Sequence, residues 1–458
     1  MAYNFIVIIM TSFQSLINNV GHFNIGKKTF LIPEMNKTGV HLLASVFKSY
    51  GINAQVIETC KGLDMGQEYT SGKECFPCQI TTGDILYFMK KEKAIKGTDF
   101  HPENYVYFMP EAEGPCRFGM YNKFQRIILD SIPDLKQVKI ESITSEDSYS
   151  LHGIIDQARV KDLRKTGYFS VVVADILDRL LWRVRPYEVE PGITDAFMER
   201  STLAMKKAFE AHGYDNNYNK ILEKLVEIVQ EGSNLIDSRI LPKPLIGIVG
   251  EIYLRSHLQA NQNLVKVLES YGAEVVNASI AEWVNYASYN VLREAKNNLR
   301  LSLKQLKFKG LKDYLKKVIV FGCEFYYQEY KQRQAYKQVN KYLDLVEDHS
   351  VAKLDDILKR EGIFSFDVGT EACLSIPGVM ACAVSGYNGV VNVYPFTCMP
   401  STITSAIIKS RIHKLKMPFL DTPYDTTSQP GREAAIRTFM FQASRHLKKH
   451  GRQDKSFH

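Results

Sequence analysis

The chain has 458 residues, of which 45% are hydrophobic and 24% are charged, values close to those of ordinary globular proteins. This length and composition exclude a disulfide-dependent miniprotein, a fibrous repeat and a wholly disordered chain. The 58 Lys and Arg outnumber the 50 Asp and Glu, for a net charge of +8, and the N-terminal apolar stretch is too short to span a membrane. We therefore expect a soluble, cytoplasmic protein.

The chain contains the same strand-helix-strand pattern twice, once near its start and once after its midpoint. In each copy an apolar strand is followed by a helical stretch, a Ser-Tyr-Gly triplet and a second apolar strand. The glycines of these triplets, Gly51 and Gly272, are suited to end a helix because glycine readily adopts the left-handed conformation. The strands of the two copies lie at residues 29–33, 54–57, 246–250 and 275–276. The repetition predicts two similar α/β lobes.

Further strand candidates are separated by helical patterns along almost the whole chain. This alternation favours parallel sheets with right-handed crossovers, so the predicted fold is α/β, with two Rossmann-like lobes, mostly parallel sheets and a helical insertion. Residues 201–237 are typical of helix with a break at Gly213, and residues 432–449 of a final helix. The further strand candidates are residues 105–109, 168–173, 318–321, 390–394 and 419–420.

Two prolines mark the predicted boundary between the lobes. Pro242 and Pro244 stand one residue apart, as in a hinge or linker. We predict an N-terminal extension at residues 1–23, a first α/β lobe with a helical segment at 24–241, a second lobe at 242–449 and a flexible tail at 450–458.

One segment carries most of the excess positive charge. Residues 293–317 contain nine Lys or Arg and two acidic residues, Glu294 and Asp313. Leucines recur among them at near-helical spacing, which predicts a helix pair with an apolar inner face and a solvated outer face. The alternative is a phosphate-binding or partner-docking face. We expect neither nucleic acid nor a membrane as a partner.

Three tight loops with Pro or Gly, each next to a predicted strand end, contain four of the eight cysteines. They are Cys75 and Cys78 in the first loop, Cys116 in the second and Cys398 in the third. Loops at the carboxyl ends of parallel strands can converge on one site. Helix N-termini after Cys78 and Cys398, and the guanidinium of Arg117, would stabilise thiolates or a negatively charged cluster. The pattern alone leaves a metal or iron–sulfur site and buried structural thiols as alternatives.

Four motifs, in this order, resemble those of the 2-hydroxyacyl-CoA dehydratase superfamily. They are Gly-Lys-Glu-Cys at 72–75, Met-Pro at 109–110 with Gly-Pro-Cys-Arg-Phe-Gly at 114–119, Gly-Glu-Ile-Tyr-Leu-Arg at 250–255, and Pro-Phe-Thr-Cys-Met-Pro at 395–400. More narrowly, residues from about 29 to about 444 are similar to the branch with CoA-enzyme activase-related and double-cubane cluster proteins. The resemblance implies an iron–sulfur cluster site between the lobes.

The same resemblance implies which cysteines bind the cluster. Three thiolates on a cubane cluster would leave one iron open for a substrate or a bridging ligand. A double-cubane cluster would need additional thiolates. Cys373 and Cys382 flank a helical stretch and are expected to be core thiols. The candidate ligands are, in order, Cys75, Cys116 and Cys398, then Cys78, then Cys60 and Cys323.

The implied function is that of an iron–sulfur protein that accepts low-potential electrons from an ATP-hydrolysing activator carrying its own cluster. These electrons would serve radical dehydration of a 2-hydroxyacyl-CoA or reduction of a small substrate. One alternative is a non-catalytic electron relay or scaffold subunit of a split activase. Another is a ligand-binding module with zinc or bare thiols. A dimer is compatible with each of them.

Two further features favour a structural role. Asp-Val-Gly-Thr at 367–370 matches four letters of the activator's ATP-binding loop, but it opens a helix late in the chain and is expected to cap that helix. ATP hydrolysis should therefore belong to a partner. Glu34 and Glu251 follow the first strand of each lobe and are either acid/base groups in the interlobe cleft or charges at helix starts.

Overall fold

The computed structural model describes residues 15–16, 18–151, 153–306, 310–427 and 429–452. In this part of the chain, the protein is α/β, mostly helical, and built on two sheets whose strands all pair in parallel. None of the helices described is long and apolar enough to cross a membrane.

The first sheet has five strands in the order β1-β5-β4-β2-β3. The strands are β1 (Val20–Gly21), β2 (Thr29–Ile32), β3 (Asn53–Val56), β4 (Tyr105–Phe108) and β5 (Lys139–Glu141). Strand β1 falls inside the predicted N-terminal extension and pairs with β5, with Val20 opposite Ile140. The predicted opening strand, helix and strand are confirmed, since β2 and β3 pair in parallel from Thr29 and Asn53.

The second sheet has four strands in the order β7-β6-β8-β9. Its strands are β6 (Leu245–Gly250), β7 (Glu274–Asn277), β8 (Gly389–Pro395) and β9 (Phe419–Tyr424). The second copy of the strand-helix-strand pattern is therefore confirmed as well. Gly51 and Gly272, the predicted helix stops, both have left-handed backbones, with φ of 79° and 89°.

Sixteen α-helices are described, and together they cover both faces of each sheet. They are α1 (Lys37–Ser49), α2 (Leu63–Tyr69), α3 (Phe76–Lys96), α4 (Tyr121–Ser131), α5 (Val160–Val184), α6 (Ile193–His212), α7 (Tyr218–Ser233), α8 (Ile252–Ser256), α9 (Leu264–Ser270), α10 (Ile280–Lys304), α11 (Leu311–Val339), α12 (Val351–Glu361), α13 (Ala372–Val384), α14 (Met399–Lys409), α15 (Ile412–Leu415) and α16 (Arg432–His450). The predicted helical region with a break at Gly213 corresponds to α6 and α7, and the predicted final helix to α16.

Alternate side chains of each strand enter different cores, because successive residues of a strand point to opposite faces. In the first sheet, Phe30 packs with α1, α5, α6 and α7, whereas Leu31 packs with α3 and α4. In the second sheet, Ile246 packs with α9 and α16, whereas Val249 packs with α10 and α13. Both sheets are thus covered by helices on both faces, as buried parallel sheets require.

Two predicted strands are wrong. Residues 168–173 lie in the middle of α5, and residues 318–321 lie in α11. A short apolar run does not by itself distinguish a strand from a helix segment. In α5, Phe169, Val172 and Val173 pack into the core of the first sheet at helical spacing. The apolar run in α11 is instead largely exposed, with Ile319 at 58%.

The basic segment forms the predicted helix pair, α10 and α11, but the predicted apolar inner face is wrong for three of its six leucines. Leu292 is buried. Leu303, Leu306 and Leu315 are exposed by 52%, 75% and 49%. The helix pair is therefore covered around Leu292, whereas apolar side chains near the connection between α10 and α11 are in solvent.

Candidate functional site

A cavity of about 1360 Å³ lies where the strands of both sheets end. Its lining includes Pro33 after β2, Pro110 after β4, Glu251 after β6 and Cys398 after β8. The carboxyl ends of parallel strands are the usual place for ligand sites in α/β proteins, because the loops there are free to vary. The cavity is thus the candidate functional site.

Cys75, Cys116 and Cys398 all line this cavity. Cys75 immediately precedes α3, and Cys398 immediately precedes α14. Cys116 precedes a 3-10 turn, Arg117–Met120, that runs into α4. Each thiol therefore stands at the N-terminal end of a helical segment, where backbone N–H groups favour negative charge. Pro77 and Pro400 occupy the first turns of α3 and α14, positions that tolerate proline.

Arg117 connects the three cysteine loops through its guanidinium group. Its Nη1 donates a hydrogen bond to the backbone oxygen of Lys73, two residues before Cys75. Its Nη2 donates to the backbone oxygen of Thr397 at 2.5 Å and to Thr397 Oγ1 at 3.2 Å. The sequence assigned Arg117 to stabilising thiolates. The guanidinium N–H groups instead bind backbone and hydroxyl oxygens, and the positive charge only partly opposes the burial that raises the pKa of Cys75.

Two of the ten described non-glycine residues with a left-handed backbone lie in these loops. Cys75 has φ of 98° and Thr397 has φ of 67°, which is a conformation that residues other than glycine rarely adopt. Gly114 has φ of 87°, and a Cβ there would lie 2.2 Å from the backbone oxygen of Gly369. The Cys116 loop therefore needs glycine at this position to pack against residues 367–370. Strain of this kind commonly marks functional sites.

The thiols are buried in an environment that disfavours their charged form. Burial raises the pKa of Cys75 to about 12. Burial also raises the pKa of Cys116 and of Cys398, and the nearby carboxylates of Glu371 and Glu251 add to both shifts. Without a cation, these thiols are protonated at neutral pH. A bound cation would reverse that balance.

Glu251 and Glu371 place two carboxyl groups beside the thiols. Both line the cavity, and burial followed by repulsion from Glu371 raises the pKa of Glu251 to about 7. Glu251 also caps α8, since its carboxylate accepts hydrogen bonds from the backbone N–H groups of Tyr253 and Leu254 at 3.0 and 2.8 Å. Glu251 is therefore a charge at a helix start, as one of the two alternatives has it, and it also faces the cavity. Glu34 is not among the residues that line the cavity.

The remaining candidate ligands occupy different positions. Cys78 lies in the first turn of α3, because that helix begins earlier than predicted; it does not line the cavity, and its Sγ is 4.0 Å from the Thr82 hydroxyl. Cys60 is half-buried and is also not a lining residue. Cys323 lies on α11, not after a strand, and does line the cavity.

Two cysteines lie where core thiols were expected. Cys373 and Cys382 are buried on α13, and both belong to the core between this helix and the second sheet. Among the described residues, no group of three His, Cys, Asp or Glu could hold a metal ion. Cys75, Cys116 and Cys398 share the cavity lining without forming the close set that one ion needs.

The sequence missed several residues of the cavity. Glu371 follows the Asp-Val-Gly-Thr segment and occupies the N-cap position of α13 without a side-chain capping bond, so the expected cap by residues 367–370 is wrong; the Thr370 hydroxyl accepts from the Ala372 N–H at 3.2 Å. Tyr121 also lines the cavity, and burial raises the pKa of its hydroxyl well above its usual value. Lys161, Arg164 and Lys165 line the cavity from one face of α5. Their three- and four-residue spacing was the available signal, but part of α5 was taken for a strand.

No protein-family model matches this chain, and no curated protein matches its sequence.

Proposed function

We propose that this chain is an iron–sulfur protein similar to components of the 2-hydroxyacyl-CoA dehydratase superfamily. In this proposal the cluster lies between two Rossmann-like lobes and is held by Cys75, Cys116 and Cys398. One observation carries the proposal. Three cysteines from loops distant in sequence, two before the second sheet begins and one after β8, line the same cavity.

The chemistry of these donors supports a cluster over a single ion. Thiolates are the usual ligands of iron–sulfur clusters, and the iron atoms of one cluster accept thiolates from separated loops. This suits three thiols that share a cavity without forming a single-ion site. Burial disfavours the thiolates alone, so the positive charge of iron supplies what the protein environment lacks.

The loops support the proposal through their rigidity. Arg117 donates hydrogen bonds to the loops that carry Cys75 and Cys398, and Gly114 packs the Cys116 loop against Gly369. Ligands held in this way lose little conformational freedom on binding a cluster. The N-terminal ends of α3 and α14 add a favourable potential for an anionic cluster. An additional thiolate would come from Cys323, which also lines the cavity.

When bound, such a cluster supplies single electrons at low potential and an open iron that acts as a Lewis acid. Glu251 and Glu371 would hold and exchange a proton beside a substrate, because burial raises the pKa of both carboxyl groups and repulsion from Glu371 raises that of Glu251 further. Apolar lining side chains such as Phe108 and Ile252 exclude water. The electrons would come from a separate ATP-hydrolysing activator, and the substrate would be an acyl-CoA or a small reducible molecule.

The test is to measure iron and acid-labile sulfide in protein purified without oxygen. About four irons per chain with matching sulfide would support a single cubane cluster, and about eight a double-cubane cluster. Replacing Cys75, Cys116 or Cys398 by Ala should reduce both values and bleach the visible spectrum. Cys373→Ala is the control, since this thiol is also buried but lies in a helix core and does not line the cavity.

The contradicting results are equally specific. Zinc, or no metal, in protein kept anaerobic would overturn the proposal and favour the ligand-binding module. Equal metal loss in the Cys373 control would show that general destabilisation, not ligation, removes the cluster. A cluster that is reduced but converts no substrate would favour the electron-relay alternative.

A further inference from the structure

The exposed end of the helix pair α10 and α11 combines apolar and basic side chains. We call residues 296–306 and 311–320 the hairpin surface. Its most exposed apolar residue, Leu306, has 75% of its surface in solvent. Isolated exposed apolar residues are normal, but a contiguous group marks an interaction site. The exposed apolar residues of the hairpin surface are Leu301, Leu303, Leu306, Leu315, Ile319 and Val320.

The basic side chains of the hairpin surface have no ion-pair partners among the described residues. All are exposed, and only Asp313 contributes an opposite charge within the surface. Arg293, just outside it, is paired with Asp367. An uncompensated positive field beside apolar side chains favours an anionic partner that also offers an apolar phase. The unpaired basic residues are Lys296, Arg300, Lys304, Lys312, Lys316 and Lys317.

The directions of the apolar side chains discriminate between partners. Leu301 and Leu303 are two residues apart on α10. This spacing corresponds to a rotation of about 200° around the helix axis, so the two side chains point to nearly opposite sides of the helix. A folded protein covers one side of a helix, whereas the interfacial region of a bilayer surrounds an inserted end. A second copy of this chain is disfavoured because like charges would face each other.

The hairpin surface is continuous with the cavity. Ile319 and Val320 are exposed and also line the cavity, so the cavity opens beside them. Lys161 and Lys165 on α5 are likewise exposed lining residues. The edge of this opening therefore has the same apolar and basic character as the hairpin surface. A ligand in an apolar phase would reach the cavity at this edge.

We propose that the hairpin surface binds the surface of an anionic phospholipid bilayer. The leucines, Ile319 and Val320 enter the interfacial region, and the lysines and Arg300 contact phosphate groups. The sequence expected no membrane partner because no segment spans a membrane, but peripheral binding needs no spanning segment. This proposal does not depend on the iron–sulfur cluster, since its residues differ from the candidate ligands.

The test is flotation of the full chain with vesicles of phosphatidylcholine, with and without about one third phosphatidylglycerol. Binding should need the anionic lipid and weaken as ionic strength rises, because salt screens exposed charges. Replacing Lys304, Lys312 and Lys316 together by Ser should weaken partitioning of the protein onto the vesicles about 100-fold, at about fivefold per lysine. Leu306→Ser with Leu315→Ser should weaken the binding that remains at high salt.

A matched control is the triple variant Lys90→Ser, Lys448→Ser and Lys449→Ser, which removes the same charge from exposed positions on α3 and α16. It should bind as the unaltered chain does. Equal loss in this control would show that net charge alone drives binding and would overturn the proposal. Failure of the unaltered chain to float would overturn it as well. Binding to polyglutamate without binding to vesicles would assign the hairpin surface to an acidic protein instead.

Discussion

Arg117 and Thr397 are 280 positions apart in sequence, yet the guanidinium group of one donates hydrogen bonds to the backbone oxygen and hydroxyl of the other at 2.5 and 3.2 Å. The contact joins the loop that carries Cys116 to the loop that carries Cys398. With the bond from Arg117 to Lys73, three thiols are held around one cavity by a single side chain. The arrangement of the site therefore depends on Arg117 as well as on the cysteines.

We expect Arg117→Lys to loosen the three loops, because an ammonium group does not reproduce the planar fork that reaches Lys73 and Thr397 together. The loss of charge-assisted hydrogen bonds at this half-buried position should lower the free energy of unfolding by about 1–2 kcal/mol. Urea unfolding measures this change. Arg445→Lys, at an exposed position of α16, is the control and should be neutral. An unchanged unfolding curve for Arg117→Lys would contradict the connecting role.

Gly114→Ala should disrupt the Cys116 loop for two reasons. Its φ of 87° is unfavourable for alanine, and its new Cβ would lie 2.2 Å from the backbone oxygen of Gly369. Gly192→Ala separates the two effects, because Gly192 has φ of 88° and nothing within 4 Å of the added Cβ. We expect about 1–2 kcal/mol for the control and at least about 1 kcal/mol more for Gly114→Ala. Equal unfolding free energies would show that the loop moves freely away from Gly369.

His257 should make stability depend on pH. It is 2% exposed; its Nδ1 accepts from the Ala260 N–H at 3.1 Å, so its Nε2 donates to Thr59 Oγ1 at 2.8 Å. Burial lowers the pKa of His257 from 6.5 to about 4. Between these two pH values His257 binds a proton in the unfolded chain but stays neutral in the folded chain. Stability should be lost as pH falls from about 6.5 to about 4.

The size of this loss is on the order of 3 kcal/mol, and His257→Gln should remove that part of the pH dependence. The measurement is the free energy of unfolding by urea at pH values across this range. His101→Gln, at an exposed position, is the control and should leave the profile unchanged. A profile of His257→Gln that matches the unaltered chain would contradict the assignment.

Alkylation of the metal-free, folded chain should distinguish the cysteines of the cavity. Cys323 is exposed, whereas Cys75 and Cys398 are buried. Burial raises the pKa of Cys75 to about 12, so its thiolate is scarce at mild alkaline pH. We expect iodoacetamide to modify Cys323 first, as measured by peptide mass spectrometry. Modification of Cys75 at the same rate as Cys323 would show that the cavity is open to solvent at its thiols.

Local patterns predicted the parts of the fold that depend on neighbouring residues. The two strand-helix-strand units, their stops at Gly51 and Gly272, and the helix after Cys398 are all present, because periodicity and backbone preference act over a few residues. The same local reasoning failed for residues 168–173 and 318–321. Their apolar runs fit a strand or a helix equally, and only packing against other elements decides between the two.

Local sequence patterns predicted the two parallel sheets and a set of candidate cysteine ligands. Tertiary structure decided which of them meet: Cys75, Cys116 and Cys398 line one cavity, Cys78 faces Thr82, and Glu371 joins the site unpredicted. It also decided that Leu306 and its neighbours are exposed. The physical reason is range, since backbone preference is local, whereas burial and convergence depend on residues that are hundreds of positions apart.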